Sequence, residues 1–149
     1  MESELPEFKL KAIGMVRSEI KQRGRRDAKE IISEIVIDPE FADGLDNLDE
    51  FSHAVIIFYF HETRKPAPMK VRPKYRSEPT PVGVFASRSP DRPNPIGKTN
   101  VRLLERRGSV LRVQGLDAID GTPVIDIKPY IPGVDTVLDA RVPKWMTES

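Results

Sequence analysis

The chain has no cysteine, which excludes disulfides, thiolate nucleophiles and cysteine-based zinc or iron–sulfur sites. Histidine is scarce: only His53 and His61 occur, eight residues apart on one predicted strand. At roughly 3.3 Å per residue their Cα atoms would lie about 26 Å apart. Metal–nitrogen bonds are about 2 Å long, so one ion cannot take both, and no metal is expected. The longest apolar stretch, Ala54 to Phe60, is far too short to span a bilayer and suits a buried strand. The acidic start Met1-Glu2-Ser3-Glu4 lacks a secretion pattern, so a cytoplasmic protein without membrane attachment is expected. None of the nine glycines forms a Gly-x-Gly, and neither a P-loop nor a Gly-x-Ser-x-Gly elbow occurs. A doubly wound nucleotide fold is therefore not expected. Excess charge of one sign is also missing: the net charge is +1, so any nucleic-acid binding must come from local patches.

What is present fits one domain over residues 1–149, with 38% hydrophobic and 32% charged residues giving a modest core under a charged surface. Strands are predicted over Phe8–Ser18, Ile31–Ile37, His53–His61, Val82–Ala86, a hairpin of Asn100–Ser109 and Val110–Leu116, and Thr122–Ile127. The unbroken apolar run of the His53–His61 strand implies burial on both faces. Arg107-Gly108 falls where the hairpin needs positive φ. Glu19–Glu30 reads as an exposed loop, and Pro39–Ala42 as a short helical turn. Thr63–Pro81 and Ser87–Gly97 read as proline-rich loops. Short strands, stiff loops and little helix point to a mainly β chain: a single-sheet, closed or partly closed β-barrel.

The densest chemical signal is Val82–Gly97, which contains Arg88-Ser89-Pro90-Asp91-Arg92-Pro93-Asn94-Pro95-Ile96-Gly97. Its prolines fix backbone φ and can hold Arg88, Ser89, Arg92 and Asn94 in a set geometry. A stiff surface loop with solvated arginines is the alternative. Asp117, Asp120 and Asp126 sit at strand ends and turns, where carboxylates accept hydrogen bonds from ribose hydroxyls or an amine. A plain Asp-Gly turn is the alternative at Asp120. His61 and Glu62 leave the buried strand, a place that often carries function, although a lone histidine there is commonly structural. In an extended chain Lys70, Arg72, Lys74 and Arg76 share one face. That basic stripe suits a phosphate backbone, with Tyr75 as a stacking partner, and Arg23, Arg25 and Arg26 could extend it. A solvated charged loop is the alternative.

At these residues the chain resembles the TrmO/TsaA-like family of tRNA N6-methyltransferases. The Arg-Ser-x-x-Arg-Pro-Asn-Pro-Ile-Gly motif is complete from Arg88 to Gly97. Phe51-Ser52-His53 opens the apolar strand, Asp120–Val124 and Asp126–Tyr130 match two further motifs, and Ile13-Gly14-x-Val16-Arg17-Ser18 fits the start. Gly97-Lys98-Thr99 stands where the family has Gly-Leu-Ser or Gly-Met-Ser, and the loop of Arg23–Arg26 matches poorly. The resemblance implies a single-sheet barrel, a homodimer, and S-adenosyl-L-methionine bound near the dimer interface. It implies methylation of N6 of threonylcarbamoyladenosine at tRNA position 37 (t6A37 to m6t6A37). It implies cofactor contacts at His61, Glu62, Arg88, Asp117 and Asp120, with Arg25 and Arg26 in a less securely aligned region. Longer relatives carry a further C-terminal domain, without which the barrel would have to grip tRNA unaided.

A carboxylate that accepts the N6 proton would assist transfer, and Asp126 or Asp120 is the candidate. Arg92 and Lys128 suit the threonyl carboxylate or a phosphate. With Asn94 and the stripe of Lys70, Arg72, Lys74 and Arg76, they form the expected substrate surface. Two other readings stay open: a non-catalytic RNA-binding barrel, and a methyltransferase for a different small substrate.

Overall fold

The computed structural model describes residues 4–23, 27–73 and 80–147. Six strands close into an antiparallel barrel in the order β1 (Gly14–Arg17), β2 (Ile32–Ile37), β7 (Val110–Gln114), β6 (Ile96–Arg107), β3 (His53–Tyr59) and β8 (Pro123–Pro129), with β8 returning to β1. A small separate ladder pairs β4 (Lys70–Val71) with β5 (Val82–Gly83). Among the described residues, helix is confined to short 3-10 turns at Pro39–Leu45, Leu48–Glu50 and Val84–Ala86, and to α1 (Pro132–Asp135) and α2 (Lys144–Thr147). The expected closed barrel with little helix is the architecture found.

Side chains that alternate along each strand fill the interior. Ala54, Ile56 and Phe58 of β3 point inward beside Val16, Ile35, Ile37, Val101, Leu111, Val113 and Val124. Leu45 and Leu48, from the 3-10 turns, complete the core at one end. Pro39 does more than end β2: Asp38 accepts a hydrogen bond from the Glu40 N–H at 2.9 Å and starts the turn that brings Leu45 inward. The barrel therefore has no open lumen, and any site must lie on its loops.

Four expectations need correction. The first strand starts at Gly14, not Phe8; Phe8 and Leu10 are 82% and 64% exposed, with no neighbouring strand to bury them. β6 starts at Ile96, inside the stretch read as loop, because Ile96–Thr99 pairs with Ile56–Tyr59. The strand expected over Val82–Ala86 is two residues long and passes into a 3-10 turn. β3 is not dry on both faces: Val55 is buried, but His53, Ile57 and Tyr59 on the outer face are half-buried.

Antiparallel registers define two ends. Tyr59 pairs with Ile96, Phe58 with Val124, Met15 with Pro123, and Ile32 with Gln114. The connections 18–31, 60–95 and 115–122 therefore all gather at one end, the mouth. Residues 38–51, the turn at Gly108-Ser109 and the segment after Tyr130 belong to the other end.

Candidate functional site

The mouth collects most of the residues singled out from sequence. His61 and Glu62 follow the end of β3, Arg88, Arg92 and Asn94 lie in the loop before β6, and Asp117 and Asp120 lie between β7 and β8. Chain order separates these groups widely, and barrel closure brings their loops to one rim.

Two acidic nodes hold the rim together. Asp91 is buried, 8% exposed. It accepts from the Arg64 backbone N–H at 2.8 Å and Arg64 Nε at 3.3 Å, and from Arg23 Nη1 and Nη2 at 3.4 and 3.3 Å. Burial opposes ionisation of this carboxyl, but the Arg64 backbone N–H and the two guanidiniums outweigh it and hold its pKa below the ordinary value. Asp120 accepts from the Ser18 backbone N–H at 2.9 Å and pairs with Lys21 Nζ at 3.0 Å. The Ser18 N–H, then Lys21, lower its pKa. The connection from β1 to β2 is thus fastened at Ser18 and Lys21 by Asp120 and at Arg23 by Asp91. Ile20, Ala28, Ile31 and Ile119 pack as a small satellite core beneath it.

The other residues divide by how far the fold already engages them. Among the described residues, His61 and Arg88 are exposed and make no hydrogen bond or ion pair. Glu62 is engaged through its backbone carbonyl, which accepts from Arg23 Nη1 at 2.7 Å. Asp117 Oδ1 accepts from Thr99 Oγ1 at 2.6 Å. Arg92 Nη1 donates to the Ser87 and Ser89 carbonyls at 3.0 and 3.2 Å, so it braces its own loop. The Asn94 carbonyl accepts from the Ile96 N–H at 2.7 Å, while its side chain is exposed. Asp126 and Lys128 pair at 3.0 Å on the outer wall of β8, apart from the mouth loops. Lys70 and Arg72 are exposed at the β4–β5 ladder. Lys74, Arg76, Arg25 and Arg26 lie outside the described residues.

Sequence reasoning passed over Asp91, Arg64, Lys21 and Thr99, and read Arg23 as part of a basic patch when it is committed to Asp91. Thr99 had a signal: it carries a hydroxyl where the family motif has serine, and that hydroxyl orients Asp117. Asp91 had none, since its partners lie 68 and 27 residues away.

The mouth is chemically suited to a zwitterionic nucleoside. Exposed Arg88 can take a carboxylate, and the carboxylates of Glu62 and Asp117 can accept from ribose hydroxyls or an ammonium. A cavity of about 300 Å3 lies elsewhere, on the outer wall, lined by Glu34, Glu105, Arg107, Val110 and Arg112. Both its carboxylates are already paired, Glu34 with Arg17 of the neighbouring strand at 3.5 Å and Glu105 with Arg107 along β6 at 2.7 Å, so the functional reading stays with the mouth. Among the described residues no group of three or more His, Cys, Asp or Glu could hold a metal, and no helix is long and apolar enough to cross a membrane.

The family model of the tRNA-methyltransferase O N-terminal domain matches residues 18–136. An Archaeoglobus fulgidus protein named "Probable S-adenosyl-L-methionine-binding protein" is 43% identical over 145 residues, covering 94% of this chain and 38% of that protein. The Escherichia coli tRNA (adenine(37)-N6)-methyltransferase is 36% identical over 145 residues, covering 89% of this chain and 62% of that one. The crystal structure of TrmO from Pseudomonas aeruginosa superposes with a TM-score of 0.79 at 34% identity, over 96% of this chain and 63% of that one. The chain thus spans under two thirds of the length of each of these three proteins. The matched residues include both acidic nodes and the whole proline-rich loop, and the chain belongs to the tRNA-methyltransferase O N-terminal domain family.

Proposed function

We propose that the chain is an S-adenosyl-L-methionine-dependent tRNA methyltransferase that modifies N6 of adenosine at position 37, with threonylcarbamoyladenosine as the form methylated (t6A37 to m6t6A37). The observation that carries this reading is the convergence of His61, Glu62, Arg88, Asp117 and Asp120 at one barrel mouth. Relatives named for the cofactor and for the reaction support it.

When bound, the cofactor supplies a methyl group already activated on a sulfonium, so the protein's task is chiefly positioning. Arg88 would bind the amino-acid carboxylate, and Glu62 and Asp117 the ribose hydroxyls or the ammonium. Arg25, Arg26 and His61 complete the proposed set. Asp120 is held ionised by Ser18 and Lys21, which suits a hydrogen-bond acceptor better than a base, because a lowered pKa makes a weaker base. Asp126 is the remaining candidate for the N6 proton. From the outer wall of β8 it can act only on an acceptor that wraps this wall. Full turnover in Asp126→Asn with cofactor bound would remove it.

RNA binding is supported by the distribution of charge. Residues 38–50, at the closed end, hold Asp38, Glu40, Asp43, Asp46, Asp49 and Glu50 and no basic residue. The connection at the mouth presents exposed Arg64, Lys65, Lys70 and Arg72, with Arg88 nearby in the chain. A polyanion is therefore drawn to the mouth and repelled by the opposite end. Arg92, Asn94 and Lys128, with Lys74 and Arg76, extend the proposed substrate surface.

We further propose a homodimer with the cofactor near its interface. The segment after β8, at the end opposite the mouth, exposes large apolar side chains, Val134 at 73%, Val137 at 63% and Leu138 at 95%, which supports contact with a second chain but not its place beside the cofactor. Sedimentation at micromolar protein tests this: a monomer across that range contradicts it. A cytoplasmic setting accords with a tRNA substrate. Incubation with methyl-labelled cofactor and tRNA carrying or lacking the threonylcarbamoyl group tests the reaction. Label on N6 of the modified tRNA is the expected result, and tRNA binding without label transfer would support a non-catalytic RNA-binding barrel.

A further inference from the structure

We propose that Asp91 is a positioning residue, a buried clamp that fastens two parts of the 60–95 connection, the stretch around Arg64 and the proline-rich loop, to the 18–31 connection, each beside a proposed cofactor-binding side chain. The inference rests on the cofactor reading above and assigns a role to a residue outside that set.

Asp91 belongs to the proline-rich loop, Arg64 to the connection after β3, and Arg23 to the connection between β1 and β2. One carboxylate takes hydrogen bonds from both arginines, and Arg23 Nη1 also reaches the Glu62 carbonyl at 2.7 Å. Each clamp point lies beside a proposed cofactor contact. Arg88 is three residues before Asp91, Glu62 two before Arg64, and Arg25 two after Arg23. The Asp91 backbone N–H donates to Ser89 Oγ at 3.2 Å, and Arg92 ties the same loop to the Ser87 and Ser89 carbonyls. The carboxylate is thus held from its own side as well.

Among the described residues, all the hydrogen-bond partners of Asp91 are in mouth loops. Its bonds order those loops before any ligand arrives. Without them, cofactor binding must bear the entropy of ordering three segments. The Arg23 and Arg64 side chains are 38% and 71% exposed, against 11% for that of Asp91. The acid is therefore the shared, buried member of the cluster.

Asp91→Asn tests this at constant volume, since the amide NH2 would face arginine donors in place of an acceptor oxygen. The expected result is cofactor affinity weakened about tenfold or more, with kcat at saturating cofactor unchanged. Amide hydrogen exchange of residues 60–65 and 87–95 should also rise in the cofactor-free protein. Arg23→Gln, at a partly exposed site, should shift both readouts the same way and add little to Asp91→Asn in the double variant; it decides the matter if Asp91→Asn does not fold. Unchanged cofactor affinity in folded variants of a wild type that binds would overturn the clamp, as would a fall in kcat alone. If the wild type binds no cofactor, the proposed function fails instead. The exchange measurement then decides the clamp, and unchanged exchange overturns it.

Discussion

The Asp91 pKa lies below its unfolded value of about 3.9. Such a group stabilises the fold fully above the unfolded pKa, and that contribution is lost as pH falls through the lower folded value. Acid titration of the thermal midpoint should therefore lose part of its steep limb in Asp91→Asn, while the curve above about pH 5 keeps its shape. An identical acid limb in both proteins would contradict the assigned ion pairs. Gly97 is a steric case. An added Cβ would meet Phe60 Cζ at 2.6 Å and Phe58 Cε2 at 2.9 Å. Gly97→Ala should cost about 1–3 kcal/mol of stability in denaturant unfolding, and a neutral effect would contradict the packing of β6 on β3. The glycine was legible as part of a motif, but its reason was not, because Phe60 faces it only across a formed ladder. The same holds for Asp91, whose meaning arises where distant loops meet.

At the scale of elements, alternation and turn chemistry carried much of the barrel. β2, β3, the turn at Gly108 (φ +57°) and β8 are near where pattern placed them. The failures have physical causes. Leu10 and Ala12 alternate like a strand but have no partner, since the ladder from β1 to β2 begins at Gly14. Ile96–Thr99 lies among prolines and glycine, yet β3 extends far enough to pair with it. Inner and outer faces give a sharp test of register. Ile56 is fully buried and Ile57, beside Asp126 on β8, is half-buried. Ile56→Ala should cost about 2–5 kcal/mol by equilibrium unfolding, and Ile57→Ala clearly less. Equal losses would mean that the register is wrong.

For the whole molecule, closure of the barrel turns scattered motifs into one rim, and uneven charge gives that rim a direction. Composition concealed this, since a net charge of +1 averages an acidic end against a basic mouth. Lys70→Glu combined with Arg72→Glu should weaken tRNA binding and reduce the salt slope by about 0.7–0.9 per lost contact. Asp43→Lys with Asp49→Lys, at the other end, should leave the slope nearly unchanged. Equal effects from both ends would contradict the orientation proposed for RNA.

The central claim is that the mouth binds S-adenosyl-L-methionine, and calorimetric titration of the purified protein and of its Arg88→Ala variant tests it most directly. Saturable binding by the wild type, lost or strongly weakened in Arg88→Ala while the thermal midpoint is retained, is the predicted result. Equal binding by both proteins, or no binding by the wild type with or without tRNA present, would contradict it.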